Sequence, residues 1–154
     1  MVPTDTGQRP GDLGVLMRHI VVALAGLAAA SVARRRVREV LDGEVSDDQL
    51  DGALLVASEL VGNAVRHVGG PVTLTVDLFP CAVLVVVADT GADIDAVPLI
   101  RSAAELALAA GTGSEEEGGR GIALVAAVSS SYWVEPTMEG KNVVALFRTA
   151  GAPC

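Results

Sequence analysis

Residues 72–88 read Val-Thr-Leu-Thr-Val-Asp-Leu-Phe-Pro-Cys-Ala-Val-Leu-Val-Val-Val-Ala, and the reading of this stretch decides the fold. Pro71 and Pro80 frame a strand over Val72–Phe79, and the near-continuous apolar run at 81–88 has the composition of a central strand. Pro80-Cys81 leaves room for little more than a tight turn, so the two strands are expected to pair antiparallel. A second consecutive pair is expected near the end, Tyr132–Glu135 and Asn142–Arg148, around the turn Thr137–Lys141. Two such pairs argue against a regularly alternating parallel sheet. They predict an α+β two-layer sandwich, a mixed and mostly antiparallel sheet covered on one face by helices.

Upstream of this stretch, Ser46, Asp47 and Asp48 offer capping side chains to a long helix reaching Val68, and Gly69-Gly70 stop it. Leu27–Leu41 has helical composition and ends at Asp42-Gly43. Arg18–Leu24 is β-branched and strand-like, with Gly26 as punctuation. Downstream, Asp89–Val97 is a loop rich in Asp and Gly, and Pro98–Ala110 is a short Ala/Leu-rich helix. Gly111–Gly121 is glycine- and acid-rich, and Ile122–Val128 is again helical. The predicted order is β-α-α-β-β-α-α-β-β. Residues 1–16, with Pro3 and Pro10, read as a flexible lead-in to a domain over 17–150.

The 154 residues suit one domain. Aromatic content of 3% means that the core must be aliphatic. A formal net charge of −8 leaves no general basic field for nucleic acid, although one small site could still bind a phosphate. Cys81 and Cys154 lack metal-ligand spacing, and a reducing cytosol is the default reading. Met17-Arg18-His19 before Ile20–Ala30 has the outline of a signal peptide. Its apolar run is shorter than the ~20 residues of a membrane span, and it runs into Arg34-Arg35-Arg36. A strand followed by a helix is the better account, and a cytoplasmic protein without a membrane segment is expected.

On the helix ending at Val68, the 100° repeat puts Leu50, Leu54, Ala57, Val61, Ala64, Val65 and Val68 on one apolar face. Glu59, Asn63 and Arg66 fall within about 60° of one another on the opposite face. An amide oxygen suits Mg²⁺, a guanidinium suits phosphate, and a carboxylate can accept a proton from an attacking hydroxyl. On spacing alone, a solvated helix face accounts for the same three side chains. Leu55, Val56 and Gly62 share that side, however, as a pocket wall would require.

Two glycine loops add to this. Asp89-Thr90-Gly91 follows a buried strand, where a carboxylate could accept the exocyclic amine of adenine. A plain Asx-turn is the alternative. Gly118-Gly119-Arg120-Gly121 opens the helix expected near Ile122, offering close backbone approach and free N–H groups to phosphate. A flexible linker is the alternative there. Neither a P-loop nor G-x-G-x-x-G occurs. Glu115-Glu116-Glu117 reads as a solvated acidic loop.

Taken together, the segments Glu59-Leu-Val-Gly-Asn63-Ala-Val-Arg66-His67, Val87-Ala-Asp89-Thr-Gly91 and Gly119-Arg-Gly121-Ile-Ala-Leu-Val125 resemble the N, G1 and G2 boxes of the GHKL ATPase superfamily. That superfamily includes histidine kinases, gyrase and mismatch-repair ATPases. Glu135–Phe147 resembles its closing hairpin, and order and spacing agree over about residues 18–149. The chain is most similar to the stand-alone branch, the anti-sigma-factor serine kinases and their actinobacterial relatives.

The resemblance implies a histidine-kinase-like ATPase fold with ATP and Mg²⁺ as cofactors. It implies Glu59 as general base, Asn63 as Mg²⁺ ligand and Arg66 as a phosphate contact, with His67 closing the motif among the nucleotide-binding residues. Asp89 would hold adenine, and Gly91, Gly119, Arg120, Gly121 and Ile122 would line the nucleotide pocket. Ile100–Gly118 would be the ATP lid. Asp93 stands where the family often has a second glycine, and Asn142 where many members have Thr.

The implied function is a regulatory serine/threonine kinase that phosphorylates an anti-anti-sigma-like acceptor or sequesters a sigma factor; members of the branch often act as homodimers. A nucleotide-dependent switch without useful phosphoryl transfer is the second reading, and an interaction domain without nucleotide the third.

Overall fold

The structure, a computed structural model, describes residues 13–94, 97 and 117–149. Its elements are β1 (Arg18–Leu24), α1 (Ala29–Leu41), α2 (Asp47–His67), β2 (Val72–Phe79), β3 (Ala82–Asp89), α3 (Glu117–Val128), β4 (Ser131–Pro136) and β5 (Lys141–Arg148). The helix expected at Pro98–Ala110 lies outside the described residues.

The sheet runs β1-β2-β3-β5-β4, and every neighbouring pair is antiparallel rather than mixed. The β2–β3 hairpin turns through Pro80-Cys81, with Phe79 opposite Ala82. The β4–β5 hairpin inserts β5 beside β3, so Asp89 faces Lys141 across the strand pair. Because side chains alternate along a strand, each register fixes two faces. Leu74, Val76, Val83, Val85, Val87, Val143, Ala145 and Phe147 form the core with the helices.

Local chemistry explains where α2 begins and ends. The Ser46 hydroxyl accepts from the Gln49 N–H at 3.2 Å, and Gln49 Oε1 accepts from the Ser46 N–H at 3.2 Å. This capping box, with Asp47 and Asp48 in the first turn, satisfies orphan donors and complements the helix dipole. At the other end Gly69 takes φ +69°, a left-handed conformation that stops the helix without a Cβ penalty. Ser46→Ala is expected to lower the unfolding free energy by about 1 kcal/mol in a urea titration. No change would mean that the cap is dispensable.

α2 is wrapped on two flanks as well as from below. Arg34 of α1 donates to the Ser58 hydroxyl at 2.8 Å on one flank. On the other, Gly52 packs against Val128 of α3 and Phe147 of β5. This corrects the expected polar face, because Val56 is completely buried and belongs to the core. The helical repeat assigned it to the exposed side, but α3 covers that side.

The sheet face turned away from the helices holds a second apolar cluster of Leu13, Phe79, Cys81, Ala82, Leu84, Val144 and Leu146, with Val86 and Trp133 at its margin. Trp133 donates through Nε1 to Glu135 Oε1 at 2.7 Å. Leu13, inside the expected flexible lead-in, is 1% exposed; residues 1–12 lie outside the described residues. Cys81 is disulfide-bonded in this structure, a departure from the thiol that a reducing compartment maintains. Among the described residues no helix is long and apolar enough to cross a membrane.

Candidate functional site

Glu59, Asn63 and Arg66 lie along two turns of α2, the first two half-buried and the third exposed. Arg66 Nη2 donates to Asn63 Oδ1 at 2.8 Å. Spacing of three residues brings these groups together on one helix face.

The structure then lays α3 across them. A Cβ built on Gly121 would fall 2.6 Å from Glu59 Oε2 and 3.4 Å from Asn63 Nδ2. A larger residue there would displace the Glu59 carboxylate, which is a close-approach reason for glycine. The helix itself begins at Glu117, five residues before the expected start at Ile122. Gly119, Arg120 and Gly121 therefore lie inside its opening turns rather than in a preceding loop. Glycine disfavours a helix interior by about 1 kcal/mol, and here the packing of α3 on α2 outweighs that preference. The first four N–H groups of a helix have no intrahelical partner, and in α3 these belong to Glu117–Arg120, just ahead of the glycine beside Glu59. Ile122 is 2% exposed in the main core. His67 is exposed at the end of α2.

Asp89 ends β3 and shares the strand face of Val85 and Val87. Its Oδ1 accepts from the Gly91 N–H at 2.8 Å, which is an Asx-turn, and from Lys141 Nζ at 2.9 Å. The Lys141 and Asp89 side chains are only 5% and 3% exposed. Gly91 is confined by this pair and by α2, since a Cβ there would lie 2.8 Å from Lys141 Nζ and 3.0 Å from Val68 Cγ2. The loop after β3 is thereby fastened to the C-terminal end of the helix that carries Asn63 and Arg66.

Lys141 is the functional-site residue that the sequence reading passed over. It stood there only as the last residue of the turn Thr137–Lys141, and its partner is set by the β3–β5 register, which no local pattern reveals. Asn142, one position on, points to the other sheet face. It helps line an open cavity of about 410 Å³ with Pro71, Thr73, Ala88, Asp89, Thr90 and the 137–139 turn. That cavity lies across the sheet from Glu59 and Asn63, so it is separate from the surface these two residues form with α3.

Among the described residues no three His, Cys, Asp or Glu side chains gather as a metal cluster. Mg²⁺ does not require one, because it commonly takes one or two protein ligands together with waters and substrate phosphates. The side chain of Asn63 fits that pattern, with its oxygen here accepting from Arg66 and its nitrogen on the Gly121 side. Ile100–Gly118 as a lid, and Glu115 and Glu116, lie outside the described residues, apart from the backbone of Glu117 and Gly118.

No curated protein matches the chain. The sequence does match the family described as Histidine kinase-like ATPase domain over residues 23–147, a span that includes Glu59, Asn63, Asp89, Gly121 and Lys141. With its five-stranded antiparallel sheet, three described helices and this match, the chain belongs to the histidine kinase-like ATPase domain family, an ATP-binding fold.

Proposed function

We propose that the protein binds Mg-ATP and acts as a regulatory serine/threonine kinase of the anti-sigma-factor type, modifying or sequestering a partner protein. The observation that carries this reading is the contact of Gly121 with Glu59 and Asn63, which sets the opening turns of α3 beside a carboxylate and a side-chain amide. Asp89 would accept the adenine amine. Free N–H groups of α3 and the Arg66 guanidinium would hold phosphate oxygens. Mg²⁺, held in part by Asn63, would screen phosphate charge. A hydroxyl of the partner would attack the terminal phosphorus as its proton passes to Glu59 and ADP leaves. The partner would be an anti-anti-sigma-like acceptor or a sigma factor, and the activity would sit in the cytoplasm, where ATP is available.

A second reading, a nucleotide-dependent switch, is favoured by the Arg66–Asn63 hydrogen bond. Mg²⁺ at the Asn63 oxygen would compete with that bond, so nucleotide binding would reorganise the site even without transfer.

Calorimetric titration with ATP and ADP, with and without Mg²⁺, tests the shared core of both readings. Wild type should bind more tightly with Mg²⁺, and Asn63→Ala should lose that gain while keeping Mg²⁺-independent binding. Failure of wild type to bind any adenine nucleotide would refute both readings. Binding without transfer to any candidate acceptor would leave the switch.

A further inference from the structure

Lys141 is the chain's single lysine, against ten arginines, and it is 4% exposed. A buried ion pair is a poor route to stability, because desolvation offsets much of the attraction. Its retention here fits a role in the site. All hydrogen bonds to the Asp89 carboxylate go to Oδ1, from Gly91 N–H and Lys141 Nζ. Oδ2 accepts none among the described residues, yet no fully buried side-chain oxygen or nitrogen lacks a partner. Oδ2 is therefore not fully buried. The ammonium also lies 3.5 Å from the Gly91 carbonyl, so one cation fixes both the carboxylate and the loop that follows it. An ammonium is a compact point charge, and with Nζ only 2.8 Å from where a Gly91 Cβ would be, a planar guanidinium has little room.

We propose that Lys141 is the specificity-positioning residue of the purine site. By occupying Oδ1 it leaves Oδ2 as the single, fixed acceptor, suited to a base that presents an amine and unsuited to one that presents a carbonyl. The inference rests on the nucleotide reading above and adds to it that base selection depends on a residue of β5 that need not touch the base.

Two measurements test it. In wild-type protein labelled with ¹⁵N-lysine, only one side-chain ammonium resonance exists, because there is only one lysine. Saturating ATP should shift it. ITP, which carries a carbonyl in place of the amine, should bind more weakly and shift it less at saturation. Titrations of Lys141→Gln and Lys141→Met, each checked for cooperative unfolding, should then separate the two nucleotides. ATP affinity should fall about tenfold, as expected for one hydrogen bond to a charged group, while ITP affinity changes by less than about twofold.

A merely structural role would weaken both nucleotides equally. Equal weakening, or an ammonium resonance unmoved by bound ATP, overturns the proposal. Should both variants fail to fold, the wild-type resonance alone decides. If wild type binds no ATP, the nucleotide reading itself has failed; if it binds ATP without moving Lys141, only this inference falls.

Discussion

Gly140→Ala is expected to lower the unfolding free energy by about 4 kcal/mol or more, a large share of the 5–15 kcal/mol that holds a typical domain folded. A Cβ at Gly140 would lie 2.1 Å from the Asp89 carbonyl oxygen and 2.6 Å from Thr90 Cα. Both obstacles are backbone, so no side-chain rotation relieves them. Overpacking alone costs about 1–3 kcal/mol. Relief here requires pulling the β4–β5 turn away from the end of β3. That movement strains the Asp89–Lys141 pair, and breaking a buried pair by losing one partner costs about 3–5 kcal/mol. It also disturbs the turn bonds from Thr137 N–H to Gly140 O at 2.9 Å and from Gly140 N–H to Thr137 Oγ1 at 3.0 Å.

Gly70→Ala is the matched control. Its Cβ would meet Thr90 Oγ1 at 2.5 Å, the far end of a side chain that can rotate away, so a loss below about 1 kcal/mol is expected. Urea titrations followed by far-ultraviolet circular dichroism compare the two, and similar losses would refute the backbone-contact argument.

Glu59→Gln is expected to reduce phosphoryl transfer to the acceptor protein by about 10²–10⁴-fold, the usual contribution of a positioned general base. Nucleotide affinity should stay within about threefold, because the amide keeps the shape that Gly121 packs against while removing the capacity to take a proton. Single-turnover transfer from labelled ATP gives the rate, and calorimetry gives the affinity. Transfer at the wild-type rate would remove Glu59 from the chemistry. Equal losses in rate and affinity would make it a binding residue instead.

Much of this was legible because it is local. The helix cap at Ser46, the Pro80-Cys81 hairpin and the Asp-Gly end of α1 depend on neighbours in sequence, and the structure reproduces them. What escaped depends on distant packing. Val56 sits on the polar side of an isolated helical wheel, yet it is completely buried in the main core. The glycines at 118–121 carry the usual signal of a loop, yet α3 begins ahead of them because Gly121 must approach Glu59 closely. Lys141 and Asp89 are 52 residues apart, and their meeting depends on strand order, which neither residue announces. Leu13 lies in a segment whose proline and glycine content reads as flexible, while its own burial depends on the β2–β3 hairpin. The three motifs were legible only together, since their order and spacing along the chain, rather than any one of them, point to the family matched over residues 23–147.

Trp133 gives the molecule an optical property that its function does not require. It is the chain's single tryptophan, half-buried on edge strand β4 and tied to Glu135 on the sheet face away from α2 and α3. Its emission therefore reports on one known place, and a nucleotide held on the helix side cannot quench it by direct contact. Any change in that emission when ATP is added must be relayed through the sheet, most directly along β5, which joins Lys141 to the strand that carries the indole.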